Sequence, residues 1–191
     1  IKIELNNETM MSSVIAGTGC PGPVPTMLDH PRGIFVDRNF DLYVADTDNN
    51  RIQRFAQNQL SATTVAGFGA QVHFILDKPT SVVLDADGYL FIVESNKHRI
   101  IRSIPDGFQC IVGCSDQSGT ASSQLDNPQT MVFDRDGNML VTDYNNHRIQ
   151  KFILGINTCG MSFQFITRYS IKFIHQDANS FGNFILIRNL E

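Results

Sequence analysis

The sequence predicts an all-β fold, because short apolar runs, closely spaced turn residues and a long internal repeat occur together. Runs such as 34–36 and 90–93 are bounded by Asp, Asn and Gly, which is typical of strands joined by tight turns. The stretch that begins at Leu28 returns from Leu76 and again from Leu125. About four strands in a period of this length are typical of one blade of a β-propeller.

Composition restricts the class of protein before any motif is considered. The chain has 191 residues, of which 42% are hydrophobic and 18% charged, enough for a folded domain with a buried core. Its formal net charge of −4 weighs against nucleic-acid binding, which usually requires a basic face. No apolar run approaches the roughly 18 residues of a membrane-spanning helix, so we expect no membrane span.

Each repeat is expected to form one four-stranded antiparallel blade, because the connections are too short for crossover helices. Turns are predicted at 85–88 and 134–138, where Asp accepts turn geometry and Gly supplies positive φ. In the first repeat the expected strands are 33–36, 42–45, 52–55 and 61–66.

The inner strands are apolar at both parities, as in 34–36, 82–84 and 131–133. A strand in a two-layer sandwich alternates, whereas a blade stacked between two others buries both faces. We therefore predict three clear four-stranded blades that form an incomplete ring within residues 12–154. The repeats lie near 28–55, 76–104 and 125–152.

Every repeat places an acid five residues before an arginine, across a short polar bend. Three identical copies are not three active sites in one small domain, so we interpret the bend as architecture. The carboxylate would accept backbone N–H groups of the turn, and the arginine would form a charge-assisted contact with it. The residues of this structural motif are Asp46, Arg51, Glu94, Arg99, Asp143 and Arg148.

The series LDHPRGIFVD, LYVAD and NNRIQRF, at the start of the first repeat, resembles the NHL repeat. The copies at 28–55 and 125–152 follow the pattern closely, whereas the middle copy carries Glu94 in place of Asp and Lys97-His98 in place of the Asn pair. The resemblance implies a β-propeller of NHL type, which has six blades in many members of the family.

Residues 155–191 lack both the L-x-x-P opening and the acid-to-arginine bend. We expect them to form a degenerate fourth blade or a tail outside the propeller, with 157–160 as an outer strand of the third repeat. Residues 11–16 are expected to form an outermost strand. The two terminal blades should then expose apolar faces, which predicts either a longer parent propeller or self-association through these faces.

The leading functional hypothesis is a non-enzymatic binding or scaffold module with protein or peptide ligands. Loops on a rigid scaffold commonly carry recognition, and the repeats differ most at 18–27, 69–75 and 115–123.

Two alternatives stay open. One is an enzyme similar to the amidating lyases or lactonases of related propellers, which gather His and acid near the axis. The histidines, which are His30, His73, His98, His147 and His175, show no spacing that converges on one ion. We therefore assign no catalytic, cofactor or metal residue. The other is RNA binding through the basic clusters at 97–102 and 148–151, which the acidic composition disfavours.

Four cysteines are too few for a disulfide-built scaffold. If 110–114 were extended, the Cα atoms of Cys110 and Cys114 would lie about 13 Å apart, too far for a disulfide. A bend at Gly113 would bring them together, so both alternatives remain, and the compartment is not assigned.

Overall fold

The computed structural model describes residues 13–72 and 74–153, which contain eleven strands, one 3-10 turn and no α-helix. The all-β prediction is therefore confirmed. None of the described segments is a helix long and apolar enough to cross a membrane. The strands are β1 (Pro31–Val36), β2 (Leu42–Asp46), β3 (Arg51–Phe55), β4 (Thr63–Gly67), β5 (Pro79–Leu84), β6 (Leu90–Glu94), β7 (Arg99–Ile104), β8 (Gly107–Val112), β9 (Pro128–Phe133), β10 (Met139–Asp143) and β11 (Arg148–Phe152).

These strands form three antiparallel meanders, each one propeller blade. The first blade has the order β1-β2-β3-β4, the second β5-β6-β7-β8 and the third β9-β10-β11. The predicted strands of the first repeat are all present, with ends shifted by one or two residues. The fourth strand expected for the third blade, at 157–160, lies outside the described residues, as does the whole of 155–191. Ser13–Ala16 form no strand, so the strand expected at 11–16 is wrong in its described part.

The apolar core lies between blades. The innermost strand of each following blade packs on its predecessor, β5 on β1 and β2, and β9 on β5 and β6. Fully burying one large apolar side chain stabilises a fold by about 1.5–3 kcal/mol, so these two interfaces dominate stability. The first interface includes Tyr43, Ala45, Ile52, Val82, Ile92 and Ile101, and the second Val83, Phe91, Val93, Ile100, Met131, Met139 and Phe152.

Burial on both faces of the innermost strand holds for the second blade and not for the other two. Five of the six residues of β5 are buried, whereas β1 and β9 expose side chains along one face. The physical reason is position, because only the second blade has a described neighbour on each side. The expectation that the terminal blades expose apolar residues agrees with this pattern, in which Ile34 and Val132 are exposed.

The first hairpin of each blade is closed by an aspartate. Its Oδ1 accepts two backbone N–H groups of the turn, as Asp85 does from Asp87 at 3.0 Å and Tyr89 at 2.9 Å. Gly88 and the equivalent Gly137 adopt φ of 83° and 80°. In the first blade Phe40 occupies this left-handed position with φ of 62°, a conformation that is costly for a residue with a Cβ.

A disulfide closes the end of β8. The strand stops at Val112, and Gly113 turns the chain with φ of 71° so close to the backbone that a Cβ would lie 2.1 Å from the oxygen of His98. The Cα atoms of Cys110 and Cys114 are 5.6 Å apart and the sulfurs are bonded. The extended alternative for 110–114 is therefore wrong, and the bend at Gly113 is the correct one. Cys20 is free and exposed.

Candidate functional site

The three bend acids are the most buried ionisable side chains of the repeat. Asp46, Glu94 and Asp143 end the second strand of their blades and are fully buried. Each stands directly opposite its arginine in the strand ladder, and the arginine Nε donates to the carboxylate at 2.7 Å in all three blades. Each carboxylate also accepts the N–H of the aspartate 17 positions earlier, from Asp29 at 2.7 Å, Asp77 at 2.9 Å and Asp126 at 2.6 Å.

The bend arginines hold the loops that connect the blades. Arg148 donates to the carbonyl oxygens of Thr120 at 2.7 Å, Ala121 at 3.0 Å and Gln124 at 3.1 Å. Arg51 does the same in the first blade, to the carbonyls of Pro23, Val24 and Met27. Hydrogen bonds from the bend arginines therefore hold the loops at 18–27 and 115–123. From the sequence, both were expected to be recognition loops.

The middle bend differs, because its acid is Glu94. Arg99 donates to Asp116 at 3.0 Å as well as to Glu94, and its guanidinium lies 5.7 Å from the centre of the Phe74 ring. Burial is the largest influence on Glu94 and raises the pKa of its carboxyl above the ordinary value, although Arg99 and the N–H of Asp77 act in the opposite direction. The glutamate therefore keeps two contacts of the motif, with the Nε of Arg99 and with the N–H of Asp77.

The last bend residue of each blade links it to the next blade. Asn50, His98 and His147 adopt φ of 52°, 52° and 54°. The Oδ1 of Asn50 accepts the N–H of Lys78 at 2.8 Å, and the Nδ1 of His98 accepts the N–H of Asn127 at 3.0 Å. His98 is thus an acceptor in a blade junction, which agrees with its interpretation as part of the repeat.

A polar cleft of about 270 Å³ opens on the face formed by these bends, where the three blades meet. Lys78 Nζ lies 2.8 Å from Asp48 Oδ1 on its wall, and Arg32 reaches across two blades to donate to Gln129 at 2.9 Å. The lining residues are Arg32, Thr47, Asp48, Lys78, Ser95, Asn96, Asn127 and Gln129. We call this the bend-face cleft.

The sequence did not predict this cleft, although a signal was present. Several lining residues flank the repeat proline. They are Arg32 in the first blade, Lys78 in the second, and Asn127 and Gln129 in the third. The backbone around that proline repeats while its neighbours differ in charge. The signal is therefore the change of side chains next to a proline that repeats in every blade. The recognition loops predicted from the sequence are other segments of the chain.

Beside the cleft, one histidine lies between two carboxylates. His30 Nδ1 is 2.6 Å from Asp29 Oδ1 and 3.0 Å from Asp48 Oδ2. One ligand atom from each side chain lies within 4.8 Å of the other two, so the three could hold a metal ion. Sequence reasoning did not bring these residues together. His73 and His175 lie outside the described residues.

An amide stands in this place in the other two blades. Asn96 Nδ2 donates to Asp77 at 2.9 Å and Asn145 Nδ2 donates to Asp126 at 3.1 Å. The Asp48 side chain has no N–H to give to the Asp29 carboxylate, although its backbone N–H donates to the Asp29 carbonyl at 3.1 Å. In the first blade the His30 ring and Lys78 Nζ lie beside these carboxylates instead.

The two basic clusters are paired with acids. In the cluster at 97–102, Lys97 is 4.0 Å from Asp116 and Arg102 is 3.6 Å from Asp85. In the cluster at 148–151, Lys151 is 2.8 Å from Asp134, and this contact, with Asn138, lowers the pKa of the Asp134 carboxyl well below its usual range. Because acids neutralise both clusters locally, neither forms a basic stripe for a phosphate backbone.

The model of the NHL repeat matches residues 28–55 and 125–152. These two segments are thus similar to the NHL repeat. The match covers the first and third repeats and not the middle one, which carries Glu94 and the Lys97-His98 pair. Comparison with proteins of curated function found no match.

Two solved structures resemble the fold at 18% sequence identity. One is a protein of unknown function from Bacteroides thetaiotaomicron, with a TM-score of 0.53 over 64% of this chain and 33% of that one. The other is a candidate gluconolactonase, with a TM-score of 0.50 over 66% of this chain and 46% of that one. Virginiamycin B lyase from Staphylococcus aureus aligns at 17% identity with a TM-score of 0.47, over 64% and 38%. The chain thus spans less than half the length of each.

Proposed function

We propose that this NHL-repeat chain is a non-enzymatic binding module that recognises a protein or peptide through the bend-face cleft. The observation that carries the proposal is the chemistry of the cleft, which combines Arg32 and Lys78 with the side-chain amides of Asn96, Asn127 and Gln129. Amides offer both donors and acceptors to the N–H and C=O groups of a peptide. A guanidinium can pair with a carboxylate through two parallel hydrogen bonds.

The residues that repeat in every blade have a structural role, which leaves the residues that vary to contact a ligand. The bend acids and arginines form hydrogen bonds within and between blades, as in the contacts of Asp143 with Arg148 and with the N–H of Asp126. They hold the scaffold, while the positions that vary between blades face the cleft. The ligand class we favour is a peptide segment with an acidic side chain or a free carboxylate near Arg32.

A binding test uses the described chain and an array of immobilised random-sequence peptides. We expect a subset of acidic peptides to bind, and Arg32→Ala and Gln129→Ala to remove that binding. Arg38→Ala is the matched control, because Arg38 is an exposed arginine in the β1–β2 turn at the opposite end of the blade. Binding that survives both cleft substitutions, or that is lost equally with Arg38→Ala, would contradict the proposal.

An enzyme of the lactonase or lyase type is a second candidate, favoured by one observation. His30 stands between Asp29 and Asp48 at the edge of the cleft, an arrangement that can hold a divalent cation or orient an imidazole as a base. Lactone hydrolysis measured with and without added Zn²⁺ or Ca²⁺ tests it. Turnover that His30→Ala abolishes would favour the enzyme over the binding module.

A further inference from the structure

The face of the third blade that points away from the second is built like a blade junction but lacks a described partner blade. The residues at four equivalent positions form the forward face of each blade. They are Phe35, Tyr43, Ala45 and Ile52 in the first, Val83, Phe91, Val93 and Ile100 in the second, and Val132, Leu140, Thr142 and Ile149 in the third. Ile52 and Ile100 are 0% exposed beneath the next blade, whereas Ile149 is 65% exposed.

The rear face of the first blade is exposed at its innermost strand, whereas Val44 and Gln53 on the same face are buried. Ile34 is 67% exposed, whereas its equivalents Val82 and Met131 are each 1% exposed because the preceding blade covers them. Ile52 belongs to the same buried cluster as Val82, and Ile100 to the same cluster as Met131. By the repeat, the partner that suits Ile149 is a side chain at the position of Ile34.

The polar groups of the two faces match in the same way. At each internal junction, the last bend residue accepts the N–H of the residue before the next repeat proline, from Asn50 to Lys78 and from His98 to Asn127. His147 has the same left-handed backbone on the third blade, and His30 occupies the pre-proline position of the first with φ of 45°. Among the described residues, neither the His147 ring nor the His30 N–H has a hydrogen-bond partner.

We propose that two copies of this chain close into one ring, the forward face of the third blade of each copy packing on the rear face of the first blade of the other. The His147 ring of one copy accepts the His30 N–H of its partner, and Ile149 packs against Ile34. Propellers close with about four to eight blades, so two arcs of the three described blades give a ring of six. The head-to-tail contact is made twice and closes, which prevents an open filament.

Ring closure goes beyond the proposed binding function, since the bend-face cleft lies within one copy. The second junction forms within a pair that the first has already joined. The affinity of the two copies for each other is therefore higher than that of a single junction. Residues 154–191 on the third blade, or a further partner, are the competing occupants of the same face.

The test measures molar mass by light scattering after size exclusion, over a range of concentrations. Wild type is expected to be a dimer, and Ile149→Asp and Ile34→Lys each to weaken dimerisation by roughly tenfold to a hundredfold at each junction. Leu60→Asp is the matched control, because Leu60 is exposed in the β3–β4 turn, away from both faces, and should leave the dimer intact. Circular dichroism confirms that each variant is folded.

Mixing the two weakened variants gives the sharper result. A mixed ring contains one Ile149→Asp copy and one Ile34→Lys copy. One of its junctions is wild type, and the other pairs Asp with Lys. The mixture should therefore form a heterodimer under conditions in which neither variant dimerises alone. A monomeric wild type would overturn the proposal and point to coverage by 154–191. A dimer insensitive to both substitutions, a mixture that stays monomeric, or open polymers would overturn it as well.

Discussion

Separating Asp143 from Arg148 should reveal a coupling that an exposed ion pair would not show. Asp143 is fully buried and accepts hydrogen bonds from Arg148, Gln150, Asn146 and the N–H of Asp126, all at 2.9 Å or less. Asp143→Asn turns one acceptor oxygen into a donor that faces other donors. Loss of charge-assisted bonds of about 1.5–3 kcal/mol each predicts a destabilisation of roughly 2–4 kcal/mol.

Arg148→Met keeps the apolar stem and removes the guanidinium, which is mostly buried. The loop carbonyls lose their donor and Asp143 loses its cation, for an expected cost of roughly 2–3 kcal/mol. The double variant should then be less destabilised than the sum of the two single variants, by about 1–2 kcal/mol, because the second substitution removes a contact that is already broken.

The free energies of unfolding of the wild type, the two single variants and the double variant are measured by urea unfolding, which circular dichroism monitors. The partly exposed pair of Asp134 and Lys151 serves as the control and is expected to show a smaller coupling, because solvent screens it. Additive effects for Asp143 and Arg148, within about 0.5 kcal/mol, would refute the view that the bend is one cooperative structural unit.

Further substitutions test three separate parts of the fold. Phe40→Gly should stabilise the chain by about 1 kcal/mol and Gly88→Ala should destabilise it by a similar amount. Both residues have positive φ in equivalent turns. The melting temperatures of the two variants, compared with that of the wild type, test this. Cys110→Ser should cost about 2 kcal/mol, from the small loop that the disulfide closes, and urea unfolding should show no effect for Cys20→Ser. His98→Ala should cost about 1 kcal/mol at the blade junction, whereas His98→Asn, which restores the acceptor of the first blade, should cost less in the same assay.

Much of the fold could be predicted because repetition identifies equivalent positions. The strands, the hairpin turns and the ladder pairing of each acid with its arginine all follow from a pattern that occurs three times. The exposure of β1 and β9 does not follow from the apolar pattern, which they share with β5, but from their position at the ends of the arc, and on that ground it was predicted. The bond between Cys110 and Cys114 could not be predicted, since the bend at Gly113 depends on how closely β8 approaches the backbone of the preceding bend.

The candidate site was harder to predict for a physical reason. Its residues come from three blades and meet only when the blades stack, as when Arg32 contacts Gln129. The carboxylate at Asp48, where the other blades have asparagine, was visible in the sequence. Its consequence was not, because the place of His30 between Asp29 and Asp48 depends on the left-handed backbone of His30.

Amide chemical-shift mapping locates the surface at which the chain binds its ligand. The isotope-labelled chain is titrated with a peptide selected on the array. Recognition on the bend face predicts shifts concentrated at the cleft, at the amides of Arg32, Lys78, Asn127 and Gln129, with the turn at 85–89 unchanged. Shifts confined to the hairpin turns at the opposite end of the blades would contradict it.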